Sequence, residues 1–208
     1  MSNHIDKIFY INLDKREDRK LEIEAELSGF DLLDNAERIP GIFTPGQGIL
    51  GCTMSHLHAI KLAKERGYSN VLILEDDFQF TLSKAEFEDQ MRLFFDSDLG
   101  LGLSFDVCMI SYNIQRSEPS SYPFLTRVLE AQTASGYIVS ACFYYKLIEL
   151  YEWAIPLLSQ TKEHWHYAND QCWTHLQDRD KWYCIQPRLG IQSAGFSDNS
   201  SRFIDRGV

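Results

Sequence analysis

The chain has 208 residues, which suits a single globular domain whose core needs no disulfide or metal to stabilise it. Hydrophobic residues make up 44 % of the sequence and aromatic residues 13 %, which excludes an intrinsically disordered protein. The formal net charge of −10 disfavours binding to nucleic acid or to anionic membranes, because their phosphates repel an acidic chain.

The five cysteines indicate a reducing compartment. Their number is odd and no CxxC pair occurs, which argues against a disulfide framework and against a structural zinc site. The sequence contains no signal peptide and no apolar run approaching the ~18 residues that a membrane span requires. We therefore expect a cytoplasmic protein of one domain, without stable membrane insertion.

The first predicted strand covers residues 7–13, a short run rich in residues that favour β-structure. A helix is predicted over residues 15–28, because Asp14 stands three residues before Glu17 in a capping-box pattern. Its predicted core-facing side chains are Leu21, Ala25 and Leu27. A second strand is predicted at 36–39.

The middle of the chain continues the alternation of strands and helices. A turn-rich loop over 40–51 leads into a predicted helix over 53–65. Residues 71–74 form a continuously apolar run, which is typical of a strand buried on both faces. Ser83 and Glu86 then form a capping box for a helix whose buried face carries Phe87, Met91 and Phe94.

The last predicted elements are a strand at 106–112, a polar loop at 113–123, strands at 125–131 and 137–140, a helix at 141–158, a short helix starting at Asn169, a strand at 182–186 and a polar tail without periodicity at 195–208. Alternating strands and helices predict an α/β fold with a mainly parallel sheet.

Three consecutive acids, Glu75, Asp76 and Asp77, follow the buried strand directly. A parallel strand delivers them to its carboxyl edge, where ligand sites of α/β proteins lie. Adjacent carboxylates repel each other unless a cation or protons neutralise them, and oxygen ligands suit Mg²⁺ or Mn²⁺. Side-chain alternation predicts that Glu75 and Asp77 share one face, with Asp77 as the first metal ligand and Glu75 or Asp76 as the second. The alternative is a solvated acidic turn.

The segment GCTMSH over residues 51–56 forms a second candidate site. A glycine-rich loop opening a helix presents backbone N–H groups and a positive dipole end to an anion. The alternative is a loop and helix cap in which His56 is a hydrogen-bonded structural histidine. Cys52 has no recognisable activating partner, which favours a buried small residue over a nucleophile.

The segment NLDKREDR over residues 12–19 forms the third candidate site. Asn12 and Asp14 lie just past the first strand, where a base or ribose can hydrogen-bond, and Arg16 and Arg19 can reach a phosphate. The alternative is the charged first turn of a surface helix.

The segment HWHYAND over residues 164–170 forms the fourth. An i, i+2 pair of histidines is a poor zinc site on a helix, so zinc is disfavoured there. Asp170, at the start of a helix, is a cap or a general base, and the residues alone favour the cap.

Together these segments resemble family 25 glycosyltransferases, which include lipooligosaccharide and procollagen galactosyltransferases. The resemblance rests on FYINLDKREDR (9–19), GILGCTMSHLHAI (48–60), VLILEDD (71–77), SGYIVS (135–140), the ND pair at 169–170 and PRLGIQSAGFSD (187–198). It implies a GT-A-like fold, a nucleotide-binding sandwich with a mixed, mainly parallel central sheet and helices on both faces. Residues 1–112 then hold the nucleotide-sugar and metal, and residues 113–208 the acceptor.

The same resemblance implies an inverting transfer of galactose or glucose from a UDP-sugar, with Mn²⁺ (or Mg²⁺) at the acidic triplet. The acceptor is a hydroxyl of a glycan, a lipid-linked glycan or a protein. It places Asp170 as the base that deprotonates this hydroxyl. The implied donor residues are Asn12, Asp14, Arg16, Arg19, Gly51, Ser55, His56, Glu75 and Asp76, with Ser135, Asn169 and Gln192 on the donor or acceptor side. Two alternatives are a metal-dependent phosphohydrolase and an inactive nucleotide-sugar-binding relative.

Overall fold

The computed structural model describes residues 4–96, 105–197 and 202–204. The strands are Lys7–Asn12 (β1), Ala36–Pro40 (β2), Asn70–Glu75 (β3), Phe78–Phe80 (β4), Val107–Met109 (β5), Asn113–Pro119 (β6), Leu125–Gln132 (β7), Gly136–Ser140 (β8), Trp182–Ile185 (β9), Gly190–Gln192 (β10), Gly195–Ser197 (β11) and Arg202–Ile204 (β12). The helices are Glu17–Gly29 (α1), Gly48–Glu65 (α2), Lys84–Asp96 (α3), Tyr144–Thr161 (α4), His164–Tyr167 (α5), Asn169–Cys172 (α6) and Thr174–Gln177 (α7), with 3₁₀ turns at Leu33–Asn35 and Ala141–Phe143.

Eight strands form one central sheet in the order β2-β1-β3-β8-β5-β9-β7-β6. β1 pairs in parallel with β2 and β3, and β5 pairs in parallel with β9. The other neighbours are antiparallel, so six strands run one way and only β7 and β8 run the other way. The sheet is therefore mixed with a mainly parallel strand direction, as predicted. Two small antiparallel pairs, β4–β10 and β11–β12, lie beside it, the second within the tail predicted to lack regular structure.

Helices cover both faces of the sheet. Val71 and Ile73 of β3 pack in the cluster that includes α2 and α4, whereas Leu72 and Leu74 pack in the cluster that includes α1 and α3. β3 is thus buried on both sides, which explains its continuously apolar sequence. The predicted α/β sandwich with helices on both faces is confirmed. Among the described residues, no helix is both long and apolar enough to cross a membrane.

Helix α1 buries only Leu27 of the three side chains that were predicted to face the core. Leu21 is 60 % exposed and Ala25 is also exposed, whereas Ile23 and Leu27 are buried at i, i+4. Asp14 does not cap the helix, because Arg16 holds the N-cap position without a side-chain cap bond. The helix therefore starts two residues later than predicted, and its phase is set by the packing of Ile23 and Leu27 against the sheet.

The segment predicted as a polar loop at 113–123 contains strand β6. Its side chains are almost all exposed, so it carries no apolar alternation. It is an edge strand held by backbone hydrogen bonds to β7, and such bonds do not require apolar residues. The capping box of Ser83 and Glu86 is confirmed, with Ser83 N donating to Glu86 Oε2 at 2.9 Å.

Candidate active site

A cavity of about 370 Å³ lies where β1 and β3 end and α2 begins. This is the carboxyl edge of the parallel strands, where ligand sites of such sheets lie. The cavity is lined by Ile11, Leu13, Lys15, Arg16, Arg19, Gly41, Ile42, Phe43, Thr44, Gly46, Gly48, Cys52, Ser55, Glu75, Asp76, Asp77 and Gln192. The acidic triplet and both candidate arginines are thus brought to one site.

The three acids divide between two sets of partners. Arg19 Nη1 donates to Asp76 Oδ1 and to Asp77 Oδ2, both at 3.0 Å. Glu75 Oε1 instead lies 3.0 Å from His56 Nε2 on α2. The prediction that Glu75 and Asp77 share one face of the strand does not account for these contacts. β3 ends at Glu75, and the turn that follows breaks the alternation of side chains between the two faces. Asp76 and Asp77 therefore share Arg19.

The pKa of Asp77 is shifted further from its ordinary range than that of an exposed aspartate. Burial, reinforced by the negative charge of Glu75, raises the pKa of Asp77 to about 7, although Arg19 opposes this. Burial also raises the pKa of Asp76 against the effect of Arg19. Asp77 Oδ1 is buried and has no hydrogen-bond partner among the described residues. The site therefore holds more negative charge than Arg19 neutralises, and an additional cation fits it.

The GCTMSH segment lies inside a helix rather than in a loop that opens one. α2 begins at Gly48, and Gly51 N already donates to Gln47 O at 3.2 Å. The expected anion-binding N–H groups at 51–56 are therefore engaged in the helix, and the free helix start lies at Gly48.

Gly51 and Ser55 position the loop that forms the cavity wall. A Cβ at Gly51 would lie 2.2 Å from Ile42 O, so only glycine lets the loop pass this close. Ser55 Oγ accepts from Ile42 N at 2.8 Å and donates to Gly51 O at 2.7 Å. Ser55 lines the cavity, and both residues contact the loop that forms its wall.

His56 is fully buried between two partners. Its Nε2 faces Glu75, and its Nδ1 lies 2.9 Å from the hydroxyl of Tyr137. It does not line the cavity, so it orients Glu75 from behind, as a hydrogen-bonded structural histidine does.

Asn12 also acts through other residues. Its amide donates to Asp76 Oδ2 at 2.8 Å and to Arg16 O at 2.9 Å, and its Oδ1 accepts from Arg38 Nε. Asp14 lies outside the cavity wall, where its Oδ1 accepts from Arg38 at 2.6 Å. Arg16 lines the cavity and pairs with the exposed Asp18. Asn12 thus fixes the position of Asp76.

Gln192 reaches the triplet from the far end of the sequence. Its Nε2 donates to Asp77 Oδ2 at 3.0 Å, and Ser193 N donates to Asp77 O at 2.7 Å. These bonds exist because β10 pairs with β4 immediately after the triplet. Gln192, predicted on the donor or acceptor side, therefore lies beside the acidic triplet.

Ser135 and Asn169 are buried behind the cavity wall. Ser135 O accepts from Glu75 N at 2.9 Å, and its hydroxyl pairs with that of Ser111 at 2.7 Å. Asn169 Oδ1 lies 3.9 Å from Cys52 Sγ. Both residues support the wall that carries Glu75 and Cys52.

Asp170 holds a strained segment of backbone. Its Oδ2 accepts from Thr133 N at 3.2 Å, and Thr133 has a φ of 81°. A β-branched residue rarely adopts a left-handed conformation, and such strain clusters at functional sites. Asp170 does not line the cavity among the described residues, although its neighbour Asn169 contacts Cys52. Its contacts are therefore those of a residue that shapes the end of β7.

Phe43 and Thr44 also line the cavity, although the sequence patterns did not single them out. Phe43 is 58 % exposed, and Lys15 Nζ lies 4.3 Å from the centre of its ring. The signal that the sequence offered was an aromatic residue within the turn-rich loop at 40–51.

No protein-family model matches the sequence, and no curated protein matches it. The resemblance to family 25 therefore remains a hypothesis based on its motifs. Among solved structures, the chain is similar to a glycosyltransferase involved in the glycosylation of the major capsid of PBCV-1, with 10 % identity, a TM-score of 0.51 and coverage of 92 % of this chain and 93 % of that one.

Two further structures show weaker likeness. One is A197 from STIV, with 11 % identity, a TM-score of 0.48 and coverage of 96 % of this chain and 93 % of that one. The other is the glycosyltransferase GlyE in Streptococcus pneumoniae TIGR4, with 11 % identity, a TM-score of 0.45 and coverage of 88 % and 46 %. At 10 % identity, the likeness to the glycosyltransferase from PBCV-1 shows that the mixed α/β fold is shared.

Proposed function

We propose that this protein is a glycosyltransferase that moves galactose or glucose from a UDP-sugar to a hydroxyl group, with inversion at the anomeric carbon. The observation that carries the proposal is the convergence of three acids and two arginines on one cavity at the carboxyl edge of the parallel strands. The fold shared with a glycosyltransferase of nearly the same length supports it. The acceptor is a glycan, a lipid-linked glycan or a protein hydroxyl.

The acidic triplet fits a divalent cation, Mn²⁺ in this proposal and Mg²⁺ as the alternative. The fit rests on Asp77 Oδ1, which is buried without a partner among the described residues, and on the burial and the neighbouring charge of Glu75 that raise the pKa of Asp77. Asp77 and Glu75 are the residues that hold the metal. When bound, the metal neutralises charge that develops on the departing diphosphate.

The rest of the cavity suits a nucleoside diphosphate. Lys15 and Arg16 supply positive charge, and the start of α2 at Gly48 directs its dipole to the cavity, so these groups can bind the two phosphates. The exposed ring of Phe43 offers a surface on which the uracil stacks. Arg19 and Asn12 keep Asp76 and Asp77 in place.

The acceptor hydroxyl must lose a proton as the new bond forms, and an inverting reaction uses a carboxylate opposite the leaving group. We assign this role to Asp170, which the motif order indicates. Asp170→Asn keeps an oxygen that can accept from Thr133 N. We expect this variant to lose nearly all transfer, about a hundred-fold or more, while it still binds UDP. UDP release in the presence of an acceptor measures transfer, and calorimetry measures UDP binding. Near-normal turnover by Asp170→Asn would assign the base to another residue.

The function itself is tested by UDP release from a panel of UDP-sugars with Mn²⁺, with Mg²⁺ and with a chelator. We expect metal-dependent release from one donor, and Asp77→Asn should abolish the metal response. Asp89→Asn is the matched control, because Asp89 is an exposed acid on α3 that pairs with Arg92.

Three other outcomes identify the alternatives. UDP binding without turnover of any donor favours an inactive nucleotide-sugar-binding relative. Metal-dependent hydrolysis of a simple aryl phosphate favours a phosphohydrolase. Absence of any UDP binding contradicts the proposal.

A further inference from the structure

Three side chains of different chemistry meet on the α2 side of the cavity. Cys52 and His56 are four residues apart on α2, which places them on one face of the helix. Glu75, at the end of β3, lies opposite them. Glu75 Oε1 is 3.6 Å from Cys52 Sγ and 3.0 Å from His56 Nε2. The three potential ligand atoms all lie within 4.8 Å of one another.

This geometry suits a tetrahedral metal ion. Zinc binds sulfur, nitrogen and oxygen ligands at about 2.0–2.3 Å, so neighbouring ligand atoms of a tetrahedral site are roughly 3.3–3.8 Å apart. The distances at Cys52, His56 and Glu75 need only small side-chain adjustments to reach these values. A thiolate, an imidazole and a carboxylate together favour Zn²⁺ over Mg²⁺ or Mn²⁺, which prefer oxygen ligands alone.

The surrounding residues hold these ligands in position. The hydroxyl of the buried Tyr137 lies 2.9 Å from His56 Nδ1, which orients the ring so that Nε2 faces Glu75. Histidine ligands of metals are usually fixed through their second nitrogen in this way. Asn169 is only 4 % exposed, its Oδ1 lies 3.9 Å from Cys52 Sγ, and its Nδ2 has no hydrogen-bond partner among the described residues. The side-chain oxygen of this buried residue therefore lies beside the cluster.

We propose that Cys52, His56 and Glu75 bind Zn²⁺ at a second site, which shares Glu75 with the oxygen-ligand site of Asp77. The Cys52 thiol loses its proton to solvent as it coordinates, His56 binds through Nε2, and water takes the fourth position. Cys52 and Glu75 line the cavity, so that fourth position faces it. Three protein ligands with one open position differ from a closed structural zinc site. Glu75 belongs to both ligand sets, so Zn²⁺ and the cation at Asp77 compete for it.

Cobalt is the probe, because Co²⁺ occupies zinc sites and gives a thiolate-to-cobalt charge-transfer band in the near ultraviolet. Titration of the metal-free full chain should produce this band at one equivalent, and Zn²⁺ should bleach it. Cys52→Ser should remove the band, and Glu75→Gln should weaken binding at least ten-fold. Cys142→Ser is the matched control, because Cys142 is an exposed thiol on the 3₁₀ turn, and this variant should keep the band.

A second measurement needs no variant and so does not depend on whether Cys52→Ser folds. In the wild-type chain, Zn²⁺ should slow alkylation of Cys52 at least ten-fold while Cys142 reacts at an unchanged rate, as read by peptide mass spectrometry. Asp77→Asn should retain the cobalt band while it loses metal-dependent UDP release, which separates this proposal from the proposed function. Absence of the band, its persistence in Cys52→Ser, its loss in Cys142→Ser or equal alkylation with and without zinc would overturn the proposal.

Discussion

At the scale of single residues, Arg19 places a positive charge against two acids of the triplet. Its side chain is 13 % exposed and contacts Asp76 and Asp77 at once. Both carboxylates hold the pKa of Arg19 above its ordinary value although burial acts to lower it. Removal of one partner from a buried ion pair is costly, because the remaining charges are left uncompensated.

We therefore expect Arg19→Met to lower the free energy of unfolding by about 3–5 kcal/mol in the presence of a chelator. Mn²⁺ should restore part of this loss by replacing the missing positive charge. Arg92→Met is the control, because Arg92 forms an exposed pair with Asp89, and it should change stability by less than about 1 kcal/mol. Urea unfolding of the wild type and both variants, with and without Mn²⁺, measures these changes in stability. Equal losses of stability in the two variants would contradict this interpretation of Arg19.

Phe43 is the second residue with a specific expectation, since its ring is exposed at the cavity rim. Base–aromatic stacking is worth about 1–3 kcal/mol per base, so Phe43→Ala should weaken UDP binding roughly ten- to hundred-fold. Phe43→Tyr should retain most of the affinity. Tyr145→Ala, at a similarly exposed aromatic residue on α4, should bind UDP normally. Calorimetric titration gives these affinities, and unchanged binding by Phe43→Ala would place the base elsewhere.

At the scale of elements, the first turn of α2 fixes the shape of the cavity. Gly51→Ala places a Cβ 2.2 Å from Ile42 O and 2.8 Å from Thr44 Oγ1, so the loop before α2 must shift. Overpacking of this kind costs about 1–3 kcal/mol. Gly29→Ala at the end of α1 meets no atom within 4 Å and should be neutral or slightly stabilising. Thermal unfolding compares the two; equal midpoints would show that the loop yields freely.

Some elements could be predicted from local sequence patterns, and others could not. β3 and its acidic triplet were predictable because both depend on local composition, an apolar run followed by polar residues. β6 was not, since an exposed edge strand carries no periodic signal. The start of α2 was placed too late because glycines at 46, 48 and 51 indicate a loop, whereas the close approach of Ile42 explains Gly51 inside the helix. Contacts between distant segments, such as Gln192 with Asp77, depend on the packing of the whole sheet.

At the scale of the whole molecule, folding buries the carboxyl group of Asp77 and thereby disfavours its charged form. The pKa of Asp77 is about 7 in the folded state and lies near 4 in the unfolded chain, so between these values the folded state binds a proton that the unfolded state lacks. The contribution of Asp77 to stability therefore falls as the pH rises from about 4 to 7.

Asp77→Asn removes this titration. With a chelator present, the stability of the variant minus that of the wild type should increase by on the order of a few kcal/mol from about pH 4 to 7 and then level off. With Mn²⁺ present the trend should reverse, because a bound cation favours the charged carboxylate. Urea unfolding at several pH values measures this difference; a constant difference without metal would contradict the raised pKa.

The pairing of β4 with β10 has a consequence for synthesis of the protein. Residues 190–193 deliver Gln192 and the Ser193 amide to Asp77, although 115 residues separate Gln192 from Asp77. The ribosome therefore makes the acidic triplet, Arg16, Arg19 and all strands of the central sheet before it makes the segment that hydrogen-bonds to Asp77. Nascent chains that stop short of this segment lack its contacts with Asp77. Completion of the cavity around Asp77 therefore requires the synthesis of residues 190–193.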